Sequence, residues 1–118
     1  MALYTHTPLA ALIQRQRSNL MPTDAVTVAP HLYKVLLEND RVRVLEVRAQ
    51  PGAKSAMHTH PSYVAVAIND GKYRFTSPDG KSIEVQAKPG QTLFVDGVEH
   101  ATEILGTSEA HIVLIELK

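Results

Sequence analysis

The chain has 118 residues, which is enough for one domain with its own core and too few for two ordinary domains. Its 12 basic and 12 acidic side chains balance, so it lacks the basic stripe expected of a protein that binds nucleic acid or anionic membranes. The absence of cysteine excludes disulfides and thiolate chemistry, and a cytoplasmic location is the default expectation. The apolar stretches are too short to span a membrane, and the N-terminus lacks the pattern of a signal peptide.

Residues 1–24 are predicted to form an N-terminal arm or a short helix ahead of a barrel domain over residues 25–118. Leu9, Leu12 and Ile13 have helical spacing, but a polar run and a proline follow them. In a small barrel such an arm often lies across a second copy of the chain. Together with the exposed edge strands of a small barrel, this leads us to expect a homodimer.

From residue 33 onward, apolar and polar residues alternate, which indicates half-buried β-strands. Short, evenly spaced strands separated by turn residues are typical of an antiparallel barrel or sandwich. Asn69-Asp70-Gly71 predicts a hairpin in which the glycine adopts a positive φ. The last two strands, over residues 100–105 and 111–117, are predicted to pair with each other across a turn at Gly106.

Three histidines stand out as candidate metal ligands. His58 and His60 occupy alternate positions of a predicted strand and would project from the same face. Both imidazoles can then share one ion at about 2.0–2.2 Å, with His100, at the start of a later strand, as the third ligand. The alternative is a pair of surface histidines on an edge strand.

The spacing of glycines and histidines resembles the two conserved motifs of the cupin superfamily. These residues are Gly52, His58, His60 and Gly71 in the first motif, and Gly90, Gly97 and His100 in the second. The resemblance covers residues 31–117 and implies an all-β fold, a small double-stranded β-helix or jelly-roll barrel. It also implies that the three histidines bind one divalent metal ion.

Two positions depart from the cupin pattern. The glutamate that many cupins place after the second histidine is replaced by Val64, with Ala65 beside it, and Val95 replaces a usual proline. Three neutral ligands leave the ion its full positive charge, which favours an anionic, chelating substrate such as a β-diketone enolate. Val64 would then form part of an apolar pocket wall.

The resemblance implies a non-haem Fe(II) dioxygenase, with zinc, nickel, manganese or copper as alternative metals. An isomerase or hydrolase that uses the metal as a Lewis acid is a second kind of enzyme, and a non-catalytic metal- or small-molecule-binding module is the alternative to an enzyme. No catalytic residue beyond the metal ligands is evident. The sequence does not specify the substrate, the physiological metal or the pathway.

Three residues besides the ligands are candidates for the substrate pocket: Tyr63, Val64 and His111. Packing is the alternative role for Tyr63, and a structural hydrogen bond is the alternative for His111. Glu99, next to His100, is a weaker candidate for a carboxylate that orients a ligand from behind. Arg43 and the other strand arginines are expected to be solvated charges that point outward.

Overall fold

The computed structural model of the protein describes residues 23–118, so the predicted arm lies almost entirely outside the described residues. The described chain forms one helical turn and nine strands, labelled here in chain order. They are α1 (Ala25–Val28), β1 (Tyr33–Glu38), β2 (Val42–Ala49), β3 (His58–His60), β4 (Tyr63–Ala67), β5 (Gly71–Thr76), β6 (Ser82–Ala87), β7 (Thr92–Val95), β8 (Val98–Leu105) and β9 (Ala110–Leu117).

The strands form two sheets. One has five strands in the order β1-β2-β9-β4-β7, and the other has four strands in the order β3-β8-β5-β6. Strands adjacent in sequence often belong to different sheets, so the chain winds back and forth between them. The predicted all-β architecture, a double-stranded β-helix, is confirmed.

The segment at residues 69–71 is not a hairpin, contrary to the prediction. It carries the chain from β4 in the five-stranded sheet to β5 in the four-stranded sheet. Gly71 does not adopt a positive φ. A glycine is needed there for a different reason, because a Cβ at this position would collide with the ring of Tyr73.

The predicted pairing of the last two strands is also wrong. β8 pairs with β3 and β5, whereas β9 pairs with β2 and β4 in the opposite sheet. Gly106, with a φ of 78°, serves the crossover between sheets rather than a hairpin. The crossover is what brings the start of β8 and the end of β9 to the same end of the barrel.

The core lies between the two sheets, and Leu45 and Ile104 are among its most buried side chains. Along β9 the alternation directs Leu114 and Glu116 inward. A carboxylate therefore continues an otherwise apolar inner face. No helix in residues 23–118 is long and apolar enough to cross a membrane.

The start of the described chain is attached to β3. Asp24 caps α1 by accepting a hydrogen bond from the Val26 N–H at 3.2 Å, and it forms a parallel bridge with Thr59. The backbone N–H of Thr59 donates to the carbonyl of Thr23 at 2.6 Å. Because Thr59 separates His58 from His60, these contacts fix the short strand that carries two of the histidines.

Candidate metal centre

The three predicted histidines converge at one end of the barrel. β3 and β8 are antiparallel neighbours, and their register places His58 directly opposite His100. His60 lies two residues further along the same face of β3, and all three side chains are buried. Their ligand nitrogens lie within 4.8 Å of one another. The three imidazoles are therefore close enough together to be candidate ligands of one ion.

Hydrogen bonds fix which nitrogen of His58 faces the cluster. Nδ1 lies 2.9 Å from the carbonyl oxygen of Ala56, so it carries the hydrogen and donates it. Nε2 is then an acceptor, and the Tyr33 hydroxyl donates to it at 3.0 Å. The lone pair needed for metal binding therefore lies on Nε2.

His60 is oriented by a buried carboxylate. Its Nδ1 donates to Oε2 of Glu116 at 2.7 Å, and both side chains are almost fully buried. This leaves Nε2 of His60 as the nitrogen available to an ion. A carboxylate behind a ligating histidine is the usual means of fixing its tautomer and raising its basicity.

The carboxylate of Glu116 is held in turn by Arg43. The guanidinium contacts Glu116 Oε1 at 2.7 Å and Asp24 Oδ1 at 2.8 Å, with the Arg43 side chain only 12% exposed. Burial opposes the charge on Arg43, but its hydrogen bonds to Asp24 and Glu116 outweigh this and raise its pKa further above the usual range. Three paired charges, those of Asp24, Arg43 and Glu116, thus lead to the candidate metal ligand His60.

The histidines suit a metal ion for a second reason. Among the described residues, Nε2 of His60 and Nε2 of His100 are buried without a hydrogen-bond partner. Buried polar atoms are normally paired, so two unpaired imidazole nitrogens in one cluster indicate a ligand. Burial lowers the pKa of His58 to about 4 and that of His100 to about 3, which keeps both rings neutral. Neutral imidazole is the form that binds a metal.

An apolar cavity of about 490 Å³ adjoins the cluster and is lined by His60 and His100. Its walls come from both sheets, and Phe75 stacks on His100 with ring centroids 4.9 Å apart. Exposed residues of β6 and β7, including Ile83 and Leu93, also line the cavity. The cavity volume suits a small organic molecule.

Of the three predicted pocket residues, the structure places only Tyr63 in the cavity wall, where its ring centroid lies 5.1 Å from that of His60. Val64 and His111 are not among the residues that line this cavity. On β4 and β9 the alternation directs the neighbours Ala65 and Ile112 into the cavity instead. His111 bonds to Glu46 at 2.9 Å.

Sequence reasoning missed the groups that orient the ligands. Glu99, the predicted candidate for a carboxylate that orients a ligand from behind, is exposed. The carboxylate that contacts a histidine of the cluster in this way is that of Glu116. Arg43 is buried in ion pairs rather than solvated, because it shares the inward face of β2 with Leu45. One feature of the sequence could have identified Glu116: it is an acidic residue on the same strand face as the apolar Ile112 and Leu114. Nothing in the sequence pointed to Tyr33.

Comparisons with known proteins agree with this geometry. The family model for the cupin domain matches residues 45–116. A cupin domain from Bordetella pertussis is 33% identical, with 74% of this chain and 92% of that chain aligned and a TM-score of 0.66. No protein of curated function matches the sequence.

More distant structures share the fold alone. A double-stranded β-helix protein from Klebsiella pneumoniae is 24% identical, with 73% of this chain and 75% of that chain aligned and a TM-score of 0.58. The polyketide cyclase RemF from Streptomyces resistomycificus is 20% identical, with 72% and 63% aligned and a TM-score of 0.53.

The fold and the site define a small two-sheet β-barrel whose three buried histidines can hold one metal ion. The length of the family match and the 33% identity to the Bordetella cupin then place the chain in a known family. The protein belongs to the cupin family.

Proposed function

We propose that the protein is a mononuclear, Fe(II)-dependent dioxygenase-like enzyme that acts on a small chelating anion, such as a β-diketone enolate. The observation that carries this proposal is the set of three buried imidazoles beside an apolar cavity. Three protein ligands leave positions open for a substrate, as in catalytic rather than structural sites. A bound iron ion would supply substrate activation and reactivity toward O₂.

The cavity lining favours an anion with an apolar body. Lys81 is the one charged side chain among the lining residues described by the structure, and most of the others are apolar. An anionic head would therefore find compensating positive charge at the metal centre and, among the lining side chains, at Lys81. An apolar body would pack against Phe75 and the aliphatic residues beyond it.

Tyr33 supplies a hydrogen-bond donor at the centre. Burial raises the pKa of its phenol above the ordinary value, so the hydroxyl keeps its hydrogen. In the present arrangement that hydrogen is donated to Nε2 of His58. When this nitrogen binds a metal instead, the Tyr33 hydroxyl is free to donate to an anionic oxygen of the substrate. Its role is to orient the substrate and to stabilise its charge.

The metal site is tested by elemental analysis of the wild type and of His58→Ala, His60→Ala and His100→Ala after anaerobic reconstitution with Fe(II). His111→Ala is the matched control, because this histidine is paired with Glu46 and lies outside the cavity lining. We expect about one ion per chain in the wild type and the control and a loss in the other three variants. Equal metal content in all five proteins would refute the site.

The reaction is tested separately by O₂ consumption of the Fe(II)-loaded protein with a panel of β-diketones, thiols and small carboxylic acids. Uptake that depends on one substrate class, and that His100→Ala abolishes, would support the enzyme. Metal-dependent binding of the same compounds without O₂ uptake would contradict it. That result would favour the alternative, a non-catalytic cupin that binds a metal or small molecule.

A further inference from the structure

One wall of the cavity is a row of three aromatic rings that leads away from the histidine cluster. Phe75 stacks on His100 with an angle of 20° between the ring planes. Tyr73 stacks on Phe75 with ring centroids 6.0 Å apart and an angle of 10°. All three residues line the cavity. A ligand that follows this wall meets aromatic carbon along its length, which favours an aromatic body.

The Tyr73 side chain lies at the far end of this wall. In the register of β5 and β8, Tyr73 is opposite Ile104, four residues beyond His100. At about 3.3 Å per residue, the two levels are about 13 Å apart along the strand. Ala67 and Ala87 also line this part of the cavity, and their small side chains leave room for a ring. We call the part lined by Tyr73, Ala67 and Ala87 the floor of the cavity.

The hydroxyl at the floor is buried and has no hydrogen-bond partner. Tyr73 is 2% exposed, and its oxygen is one of four buried side-chain polar atoms left unpaired within residues 23–118. The others are Nε2 of His60, Nε2 of His100 and the hydroxyl of Thr102, which is two residues from His100 on β8. Tyr73 is therefore the unpaired group farthest along the wall from the histidines. Burial raises its pKa to about 12, so the hydroxyl keeps its hydrogen and is a donor.

The fold makes two concessions to this hydroxyl. A Cβ at position 71 would collide with the hydroxyl oxygen of Tyr73, so the tyrosine requires Gly71, and glycine loses more conformational freedom on folding than any other residue. The hydroxyl itself loses its hydration without gaining a partner, which phenylalanine at position 73 would avoid. Buried polar groups are normally paired. An unpaired donor in the wall of a cavity therefore indicates that a ligand supplies the acceptor.

We propose that Tyr73 determines substrate specificity by donating a hydrogen bond to a second oxygen, at the opposite end of the substrate from the anionic head. The inference rests on the proposed function and narrows its substrate class. That class becomes an aryl chelator, such as an aryl 1,3-diketone, with a hydroxyl or carbonyl oxygen on the ring position remote from the head. The cavity volume of about 490 Å³ suits such an elongated ligand, since it is in the range for drug-sized molecules rather than for a single chelating group.

The test compares matched ligands by isothermal titration calorimetry on the full chain loaded with Zn(II). Zinc has no redox chemistry, so a bound ligand is not consumed. The ligands are a phenyl and a naphthyl 1,3-diketone, each with and without a hydroxyl on the ring position farthest from the diketone. The two ring systems sample two separations between the head and the hydroxyl. In at least one series the hydroxylated ligand should bind about 10-fold more tightly than its parent, as one hydrogen bond at a buried site allows.

Tyr73→Phe removes only the hydroxyl. It should reduce the preference for the hydroxylated ligand to less than about 2-fold and leave the affinity for the parent nearly unchanged, as a direct contact requires in a double-mutant cycle. Thr102→Val is the matched control, because it removes the other unpaired hydroxyl of the cavity, at the level of Phe75. The control should retain the preference. A preference lost in Thr102→Val and retained in Tyr73→Phe would contradict the assignment.

A measurement without ligand tests whether the hydroxyl is unpaired in solution. Thermal unfolding of metal-loaded Tyr73→Phe should have a midpoint at or above that of the wild type, since the variant buries one fewer unpaired polar group. A clearly lower midpoint would show that the hydroxyl has a partner in the ligand-free protein, such as an internal water, and would overturn the inference.

The outcomes separate this inference from the proposed function. Equal binding of hydroxylated and parent ligands to the wild type would refute the role of Tyr73 and leave the chelating head in place. A preference that depends on Tyr73, without O₂ uptake by the Fe(II)-loaded protein, would support the inference and refute the oxygenase reaction. Failure of every ligand in both series to bind would refute the substrate class and the inference together.

Discussion

The two ends of the cavity differ in polarity and in exposure to solvent. At the histidine end, Asp24, Arg43, Glu116 and His60 form one chain of paired polar groups, and the side chains of all four are at least 86% buried. At the β6–β7 end, Ile83 and Leu93 are 63% and 57% exposed, and neither is part of a polar network. The first end is suited to holding groups in fixed orientation and the second to admitting a ligand. Substitutions at the two ends should therefore separate metal affinity from ligand binding.

The largest effect expected at the histidine end is a dependence of stability on pH in protein stripped of metal. His58 and His100 have pKa values lowered to about 4 and about 3 in the folded state. The unfolded chain, with histidines near pKa 6.5, binds more protons below that pH, so stability falls as pH falls. From pH 6.5 to pH 5 the two histidines should remove roughly 3 kcal/mol, because each approaches a slope of about 1.4 kcal/mol per pH unit only below pH 6.5.

Urea unfolding of the stripped protein at a series of pH values measures this loss. Replacing both histidines with glutamine should flatten the profile over the same range. A stability that is constant from pH 7 to pH 5 in the wild type would show that the two rings are not buried as neutral groups.

The next effect is the loss of metal affinity in His100→Ala. Removing a residue that hydrogen-bonds a metal ligand typically lowers metal affinity 10–100-fold. Removing one of three ligands should lower metal affinity by well over that factor. Competition with a chromophoric chelator measures the affinity. If His100→Ala binds within about 10-fold of the wild type, His100 is not a ligand and the cluster must bind through the other two alone.

Glu116→Gln should have a smaller effect on the same quantity, about 10–100-fold, because the amide still accepts from His60 but no longer carries a charge. Asp24→Asn is the matched control. It removes a charge from the same chain and keeps the backbone bridge to Thr59, and the side chain at this position contacts His60 only through Arg43 and Glu116. Equal losses in the two variants would mean that general destabilisation, rather than the orientation of His60, explains the effect.

The smallest effects on stability and metal affinity are expected at the β6–β7 end of the cavity. Leu93→Ser removes an exposed apolar side chain and should change stability by less than about 0.5 kcal/mol and leave metal affinity unaltered. The affinity for an apolar anion of the substrate panel should fall. A loss of metal affinity in this variant would contradict the division of the cavity into two independent ends.

The clustering of the three histidines could be predicted because strand alternation and motif spacing are local in sequence. The two-residue period of a strand predicts that His58 and His60 share a face. The position of His100 in the second motif predicts that it joins them. The partners of these ligands could not be predicted in the same way. Glu116 is 56 residues from His60, and only the crossover between sheets brings the two together.

The pairing errors have the same origin. Turn residues predict where a strand ends, but they do not specify whether the chain returns in the same sheet or crosses to the other. Asn69-Asp70-Gly71 was predicted as a hairpin on turn chemistry, whereas Gly71 is there to make room for Tyr73. The assignment of Val64 and His111 to the pocket has a related origin, because alternation defines two faces of a strand without stating which one is inside.

The inward direction of Ala65 has a consequence for protein design. Val64 lies on the opposite face of β4 from the cavity, so Val64→Glu would not restore the carboxylate ligand found in many cupins. Ala65 lines the same cavity as His60 and His100. Ala65→Glu is therefore the substitution that would direct a carboxylate into this cavity, and comparison with the wild type would measure how an added negative charge changes metal preference on the same barrel.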